Sequence, residues 1–184
     1  METAIETIGL YPRDLLETAV DESADRQWWA VYTKSRQEKV FCRQLRGHGI
    51  SHYLPLVEKV SYTRRRRLTS VVPLFSGYVF MHGTVHERLT SLATNRVSQI
   101  LSVPDGVKLC YDLSQIFRLI ASGAPVTVEQ RLAPGRPVRI RRGPLAGLEG
   151  IVLERRTGTR LFVAVDFLQQ GASIDVDDHQ LEPL

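Results

Sequence analysis

Basic side chains at a helical spacing are the first feature of this sequence that suggests chemistry. Arg36, Lys39, Arg43 and Arg46 follow one another at intervals of three, four and three residues. Because each helical residue advances ~100°, the four would lie within about 80° of one another on one helix face. Such a row contains no acid and suits phosphate oxygens, which cations bind without reading base sequence. A helix face that is merely solvated is the alternative.

Four consecutive arginines form a second basic cluster, at Arg64, Arg65, Arg66 and Arg67. Stretches rich in β-branched and aromatic residues flank them. We therefore predict two strands, at residues 52–60 and 68–82, joined as a long hairpin with a basic tip. Like charges at a tip repel one another, and an anion such as nucleic acid relieves that repulsion. The alternative is a charged edge that only protects the hairpin against aggregation.

Aromatic residues are concentrated in two predicted strands. Tyr32 lies in a predicted strand at residues 28–34, and Phe75, Tyr78 and Phe80 lie in the second strand of the hairpin. These four rings supply more aromatic side chains than one face of a thin sheet needs for its core. Either all of them belong to the core, or some are exposed and mark a surface on which another protein docks.

The composition is that of an ordinary globular protein, but its charge is unevenly distributed. The formal net charge of the 184 residues is +4, whereas residues 34–67 hold ten basic residues and two acids, a local balance of 10 − 2 = +8. This excess predicts a polyanionic partner. The apolar stretches are far shorter than the ~18 residues of a membrane-spanning helix. The first residues do not resemble a secretory leader, so we expect a cytoplasmic protein with no membrane partner.

The sequence lacks the usual patterns of catalytic and metal-binding residues. Ser76 is not surrounded by the glycines of a nucleophile elbow, and the glycines at 143, 147 and 150 lack the lysine of a phosphate-binding loop. Cys42 and Cys110 have no partner at a zinc-ligand spacing. We therefore predict no enzymatic activity, catalytic residue, cofactor or metal ion. A nuclease built from scattered carboxylates and histidines is the remaining enzymatic alternative.

The elements that would position the basic and aromatic residues are typical of one α+β domain over residues 27–123. They read as strand, helix, strand, strand, helix, strand, helix, the split βαβ pattern of a ferredoxin-like sheet. Ser35 and Glu38 predict a capping box at the start of the first helix. Besides the strands already named, the predicted elements are helices at residues 35–46, 86–95 and 112–122 and a strand at 98–103.

The two ends of the chain differ from this pattern. Residues 1–26 hold seven acids and two basic residues, and we expect a mobile acidic extension with a possible helix at residues 12–20. Two prolines mark residues 124–134 as a linker. Residues 135–184 predict a small SH3-like β-barrel, because short strands alternate there with glycine turns. Its predicted strands are residues 137–141, 150–156, 160–167 and 173–176.

Three runs of residues resemble the NusG family of transcription elongation factors. They are residues 28–32 (WWAVY), 73–80 (PLFSGYVF) and 138–152 (VRIRRGPLAGLEGIV), and the last is similar to a KOW motif. The resemblance is closer to the specialised paralogues of the RfaH and UpxY type, the antiterminators of polysaccharide operons. It implies a NusG-type N-terminal (NGN) domain followed by a KOW domain.

The resemblance also implies site residues and partners. Tyr32, Phe75, Tyr78 and Phe80 would contribute to an apolar pocket for the clamp helices of bacterial RNA polymerase. Lys34 and the first helix, with Arg43, Gln44, Arg46 and His48, would face the non-template DNA strand. The arginine hairpin would approach upstream DNA. Leu145 and Leu148 match loop positions through which relatives contact a small-subunit ribosomal protein or Rho.

The function that follows is transcription elongation and antitermination by a monomeric factor, which suppresses pausing and termination in an operon of the polysaccharide type. One alternative is a general NusG-like factor that couples transcription to the ribosome or to Rho. Another is a ribosome-associated KOW protein that binds RNA. Helix formers are sparse between Ile151 and Val176, so we expect a permanent barrel rather than the helical hairpin of RfaH.

Overall fold

The structure is a computed structural model and describes residues 9–19, 25–63, 66–129, 135–155 and 158–184. The chain forms two compact units, which divide between Val107 and Lys108. The first unit mixes helices with an antiparallel sheet, and the second is built around another antiparallel sheet. The predicted α+β class, with a split βαβ first part and an all-β last part, is confirmed. No helix among the described residues is long and apolar enough to cross a membrane.

The first unit contains a five-stranded sheet and a separate two-stranded ribbon. The strands are β1 (Leu10–Tyr11), β2 (Gln27–Thr33), β3 (Ser51–Tyr53), β4 (Leu56–Thr63), β5 (Arg66–Pro73), β6 (Tyr78–Gly83) and β7 (Val97–Ser102). The sheet has the order β1-β3-β6-β2-β7 and is antiparallel throughout. Strand β2 pairs on both sides, and Trp28, Trp29, Ala30 and Val31 are all buried. A strand that is buried on both faces explains why this run is apolar without alternation.

Three helices of the first unit lie within the described residues: α1 (Leu15–Thr18), α2 (Glu38–Gly47) and α3 (Val85–Ala93). Helix α2 forms the core of the unit with the sheet, because its Phe41 and Leu45 cluster with Val31, Val79 and Met81. Burying each such side chain contributes about 1.5–3 kcal/mol. Side chains alternate along a strand, so α2 covers one face of the sheet, and Tyr32, Tyr78 and Phe80 belong to the other face.

The helix boundaries differ from the predicted ones for local reasons. Helix α2 begins at Glu38 rather than at Ser35, because Arg36 has a left-handed backbone with φ of 59°. The Glu38 carboxylate accepts the Gly77 N–H at 2.8 Å, so it does not serve the predicted capping box. A capping box does exist on α3, where Thr84 and Glu87 exchange both bonds. Helix α4 (Gly106–Ala121) begins well before the predicted residue 112 and spans the division between the units.

Within the predicted mobile extension, the described residues 9–19 are part of the fold. Leu10 pairs with Tyr53, and the Leu54 N–H donates to the Gly9 carbonyl at 2.6 Å. Leu15 and Leu16 on α1 are buried. The acids of this segment dominate its composition, whereas burial of its few apolar side chains decides its structure. Residues 1–8 and 20–24 of the predicted extension lie outside the described residues.

The predicted long hairpin is divided between two sheets. Strands β4 and β5 pair with each other, whereas β3 and β6, which continue them in the chain, belong to the main sheet. The breaks fall at Pro55 and after Pro73, and proline cannot donate a hydrogen bond within a sheet. Gly77 completes the second break with φ of 84°, a conformation that favours glycine. The ribbon is therefore a two-stranded sheet of its own, separate from the main sheet.

The second unit carries six strands, β8 (Thr127–Glu129), β9 (Arg136–Ile140), β10 (Glu149–Arg155), β11 (Gly158–Val165), β12 (Gln170–Asp175) and β13 (Leu181–Pro183). Their order is β13-β9-β10-β11-β12-β8, with antiparallel pairing throughout. Strands β9 to β12 correspond to the four predicted strands. Gly171 is required at its position, since a Cβ there would lie 2.2 Å from the Val163 carbonyl oxygen.

Strand β8 lies within the predicted linker, of which residues 130–134 are outside the described residues. Arg160 on β11 holds it by donating to the Thr127 hydroxyl at 2.8 Å and to the Ser173 hydroxyl at 3.0 Å. The Ser173 hydroxyl in turn donates to the Glu129 carboxylate at 2.7 Å. A three-residue strand has too little periodicity to be recognised in a sequence, and its partners come from distant positions.

Candidate nucleic-acid and protein-binding surfaces

Two tyrosines form an aromatic pair on the sheet face that α2 does not cover. Tyr32 on β2 and Tyr78 on β6 are directly opposite in the strand register, and their ring centroids are 5.1 Å apart. Tyr32 is 42% exposed, and Tyr78 is half-buried. Gly77 fixes this geometry, because a Cβ there would come within 2.6 Å of the Tyr32 ring. An exposed tyrosine pair combines apolar area with hydroxyl groups, as protein-binding surfaces commonly do.

The two phenylalanines of the predicted pocket are buried instead. Phe75 is 1% exposed and Phe80 is 0% exposed, with their rings edge to face at 6.4 Å. Neither can touch a partner without a rearrangement of the core. Sequence could not separate them from the tyrosines, because all four rings occur in similar apolar runs. The phenylalanines therefore support the surface from within the fold, and the tyrosines form it.

The predicted row of four cations on one helix is not formed. Arg36 precedes α2, and the Lys39 ammonium donates to the Val71 carbonyl at the base of the ribbon. Arg43 Nε donates to the Lys39 carbonyl at 3.4 Å, and the Arg46 guanidinium lies 5.1 Å from the Tyr11 ring centroid. Arg43 and Arg46 are exposed nonetheless, as is His48 after the helix, while Gln44 is half-buried. The residues that can reach a phosphate are therefore fewer than the spacing predicts.

A polar cluster that the sequence did not reveal surrounds the start of α2. Lys34 Nζ donates to Asn95 Oδ1 at 2.8 Å, and the backbone N–H of Lys34 donates to the Arg96 carbonyl at 2.8 Å. The Arg96 guanidinium donates to Gln37 Oε1 at 2.9 Å. Asn95, like Arg36, has a left-handed backbone, with φ of 57°. Asparagine tolerates this conformation, so Asn95 at a helix end was the feature from which this loop could have been recognised.

The ribbon carries the second basic cluster. Arg64 and Arg65 lie outside the described residues, and Arg66 and Arg67 are exposed on β5. Tyr62, which sequence reasoning did not select, is 79% exposed and lies directly opposite Arg67 in the register. Its position just before the four arginines was the sequence feature that could have marked Tyr62 as a candidate site residue. The ribbon thus presents an aromatic ring beside a guanidinium, a combination suited to nucleic acid.

In the second unit the two leucines expected to contact a partner differ in exposure. Leu145 is half-buried in the loop between β9 and β10, whereas Leu148 is 0% exposed and belongs to the core. The Arg118 guanidinium of α4 donates to the carbonyls of Ala146 and Gly147 in the same loop. Leu148 therefore cannot contact another protein directly, because the fold uses it for packing.

Ionisable groups between α4 and the second sheet have shifted pKa values. The Tyr111 hydroxyl and the Arg139 guanidinium donate to the Glu149 carboxylate, which lowers the pKa of Glu149. Burial raises the pKa of Asp112, although Lys108 and the Asp166 N–H both donate to its carboxylate. These groups satisfy one another within the unit. Among the described residues no group of three His, Cys, Asp or Glu side chains could hold a metal ion.

Comparison with known proteins identifies the family. A family model described as NusG, transcription termination factor nusG, matches residues 26–131, which is more than half of the chain. A search of curated proteins finds no match. The matched region runs from the strand that carries Tyr32 to the end of β8 and includes α2, the ribbon and the tyrosine pair. The chain therefore belongs to the NusG family, whose members are transcription elongation and antitermination factors that interact with RNA polymerase.

Proposed function

We propose that the protein docks on the clamp helices of bacterial RNA polymerase, contacts the non-template DNA strand, and so suppresses pausing and termination. The observation that carries this proposal is the Tyr32–Tyr78 pair, exposed on the sheet face away from α2. Aromatic residues of this kind supply much of the binding energy at protein interfaces. The factor acts by binding alone and has no chemistry of its own.

Contact with DNA is assigned to cations near this surface. Lys34 is exposed and follows Tyr32 by two residues, so a partner on the tyrosines lies close to it. Arg43, Arg46 and His48 extend the basic area along and beyond α2. Cations of this kind hold the phosphates of a single strand, and the affinity they provide falls as salt concentration rises.

The second unit is proposed to act as a KOW domain that stays a β-structure and recruits a further partner. Its loop of residues 141–148 presents Leu145 and the exposed Arg142. A small-subunit ribosomal protein or Rho is the proposed partner of this loop. The functional domains proposed here are residues 27–123 and 135–184.

We also propose the specialised role of an antiterminator for one operon of the polysaccharide type. The run at residues 73–80 supports it through its likeness to the specialised paralogues. Within this run Phe75 and Phe80 are buried, Gly77 leaves room for the Tyr32 ring, and the half-buried Tyr78 ring pairs with Tyr32. A genome position beside polysaccharide-synthesis genes is the expected context.

The test is a single-round elongation assay with bacterial RNA polymerase, on templates with and without the operon leader. The full-length protein should shorten pauses and increase terminator read-through, and Tyr78→Ala should lower its potency about tenfold or more, the range of an interface hot spot. Leu92→Ala is the control, since Leu92 has the same exposure as Tyr32, 42%, but lies on α3. If full-length protein leaves elongation unchanged on both templates, the proposal is wrong.

A second assay tests the alternative of a ribosome-associated RNA-binding protein. Such a protein binds RNA tightly without polymerase, and Tyr78→Ala does not weaken that binding. An RNA titration with wild-type protein and Tyr78→Ala therefore decides between the two functions.

A further inference from the structure

An N-terminal arm, residues 9–19, precedes the region that the family model matches, residues 26–131. Its helix α1 buries Leu15 and Leu16, and its strand β1 pairs with β3 at the edge of the main sheet. A Cβ on Gly9 would lie 2.8 Å from a backbone carbonyl oxygen just beyond β3, so the arm approaches the chain closely. Apolar burial and strand pairing therefore fix the arm to the first unit.

The arm holds the Tyr11 ring against a buried partner. Tyr11 lies directly opposite His52 in the register of β1 and β3, and their ring centroids are 5.8 Å apart with the planes inclined by 29°. His52 is 1% exposed, and its Nδ1 lies 2.9 Å from the Ile50 carbonyl oxygen. Both the backbone of Tyr11 and the ring beside it are held in place, so the Tyr11 side chain has little freedom to move.

The Tyr11 ring in turn contacts a cation of α2. The Arg46 guanidinium, at the C-terminal end of the helix, lies 5.1 Å from the centroid of the Tyr11 ring. The attraction between a cation and the face of a ring requires no N–H donor. The five donors of a guanidinium lie in its plane, so a ring on its face restrains the side chain without using the edge that binds phosphate. This contact is therefore compatible with phosphate binding.

The other two cations of α2 are restrained differently. The Lys39 ammonium donates to the Val71 carbonyl, and Arg43 Nε donates to the Lys39 carbonyl at 3.4 Å. Each of these bonds uses a donor that a phosphate oxygen would otherwise accept. Arg46 is exposed and differs from both by its contact with a ring. It is therefore the cation of α2 whose binding the arm can assist.

We propose that Tyr11 is a positioning residue that presents the Arg46 guanidinium to a phosphate of the bound single strand. An arginine loses rotamer freedom when it binds a phosphate, and a side chain that is already restrained loses less. The inference rests on the proposed function in one respect, since the contact between Arg46 and single-stranded DNA is taken from there. It gives the arm a role in binding, although the arm lies outside the matched region.

The test is a fluorescence-anisotropy titration of full-length protein with a labelled single-stranded DNA over a range of salt concentrations. Arg46→Ala should weaken binding about tenfold, as expected for one charge-assisted hydrogen bond. It should also reduce the log–log slope of the salt dependence by about 0.7, the value for one phosphate of a single strand. Tyr11→Leu should weaken binding about two- to fivefold at an unchanged slope, because the phosphate contact still forms, but from a less restrained side chain. Tyr11→Phe should keep the wild-type affinity, because it keeps the ring.

A double-mutant cycle separates positioning from a merely structural role. In an Arg46→Ala background, Tyr11→Leu should not weaken DNA binding further, because no guanidinium remains to be positioned. Arg88→Ala is the matched control, since the Arg88 guanidinium is also 5.1 Å from a ring centroid, that of Trp29, but belongs to α3. This control should bind DNA as the wild-type protein does. Circular dichroism checks that each variant folds.

Three outcomes overturn the inference and leave the proposed DNA contact of Arg46 in place. They are an unchanged affinity in Tyr11→Leu, an equal loss from Tyr11→Leu in the wild-type and Arg46→Ala backgrounds, and a loss in Tyr11→Phe as large as in Tyr11→Leu. If Arg46→Ala binds DNA as the wild-type protein does, both the inference and the proposed contact of Arg46 are wrong. Polymerase is absent from the titration, so docking on the clamp helices is judged separately by the elongation assay.

Discussion

Helix α2 and the β4–β5 ribbon are the two basic regions of the first unit, and they use their cations differently. On α2, Lys39 donates to the Val71 carbonyl and Arg46 lies over the Tyr11 ring. On the ribbon, Arg67 and Tyr62 are exposed at the end of a two-stranded sheet. A helix that packs on a sheet brings its flanking cations close to carbonyls and rings, whereas a two-stranded ribbon has few neighbours. Basic side chains therefore have a partly structural role on α2 and an exposed position on the ribbon.

The largest expected difference between the two regions is in stability. Leu45→Ala on α2 should lower the free energy of unfolding by about 2–5 kcal/mol, because it leaves a cavity in a fully buried site. Leu68→Ala on the ribbon should change it by less than about 0.5 kcal/mol. Urea unfolding followed by tryptophan fluorescence measures this, since both tryptophans, Trp28 and Trp29, are in β2. Equal losses in the two variants would contradict the comparison.

A smaller effect distinguishes two cations of α2. Lys39→Met keeps the apolar stem but leaves the Val71 carbonyl without its ammonium donor, which should lower the free energy of unfolding by about 1 kcal/mol. Arg43→Met should leave stability almost unchanged, since Arg43 is exposed, and should instead weaken DNA binding at low salt. Urea unfolding and DNA titration of both variants are the measurements. If Lys39→Met weakens DNA binding without loss of stability, the structural role of Lys39 is wrong.

The contact between Tyr11 and Arg46 should contribute still less. Tyr11→Leu removes the ring beneath the guanidinium and should lower the free energy of unfolding by about 0.5–1 kcal/mol. Tyr11→Phe should retain most of the stability that the ring contributes. In an Arg46→Ala background the effect of Tyr11→Leu should shrink, which a double-mutant cycle by urea unfolding tests. An unchanged effect would show that the ring stabilises the segment through its stacking on His52 instead.

The smallest effect concerns the second unit, where Arg139 donates to the Glu149 carboxylate. The Tyr111 hydroxyl and Arg139 lower the pKa of Glu149, so this group stabilises the fold above its unfolded pKa of ~4.3. That contribution is lost as pH falls through the lower folded pKa. The site is partly exposed, so the change in stability is small. A carboxyl NMR titration should show a higher pKa for Glu149 in Tyr111→Phe, and an equal pKa would contradict the assignment.

Local patterns in the sequence predicted most of the elements of the fold. The β-rich runs around Trp29, Phe80 and Ile100 and the helical period around Phe41 correspond to β2, β6, β7 and α2. These periodicities arise because one face of each element is buried. They can therefore be recognised without knowing which element packs against that face. The predictions failed where a short segment depends on a distant partner, as Leu10 does on Tyr53 and Thr127 on Ser173.

The candidate site was less predictable than the fold. Sequence reasoning selected Tyr32 and Tyr78 together with Phe75 and Phe80, and only the tyrosines reach the surface. It selected Lys39 for phosphate, whereas the structure pairs it with a carbonyl, and it omitted Tyr62. Residue type predicts what a side chain can bind. Exposure and the groups already in contact with it decide what it does bind.

The sequence by itself determined the family, the basic character of residues 34–67 and the order of most strands and helices. These properties follow from residue types and short-range spacing. Only the tertiary structure decided that the hairpin divides between the main sheet and a two-stranded ribbon, that Leu10 and Tyr11 join the sheet, and that Tyr62 is exposed opposite Arg67. Each of these depends on pairing or packing between residues far apart in the chain, and such contacts leave no periodic pattern in the sequence.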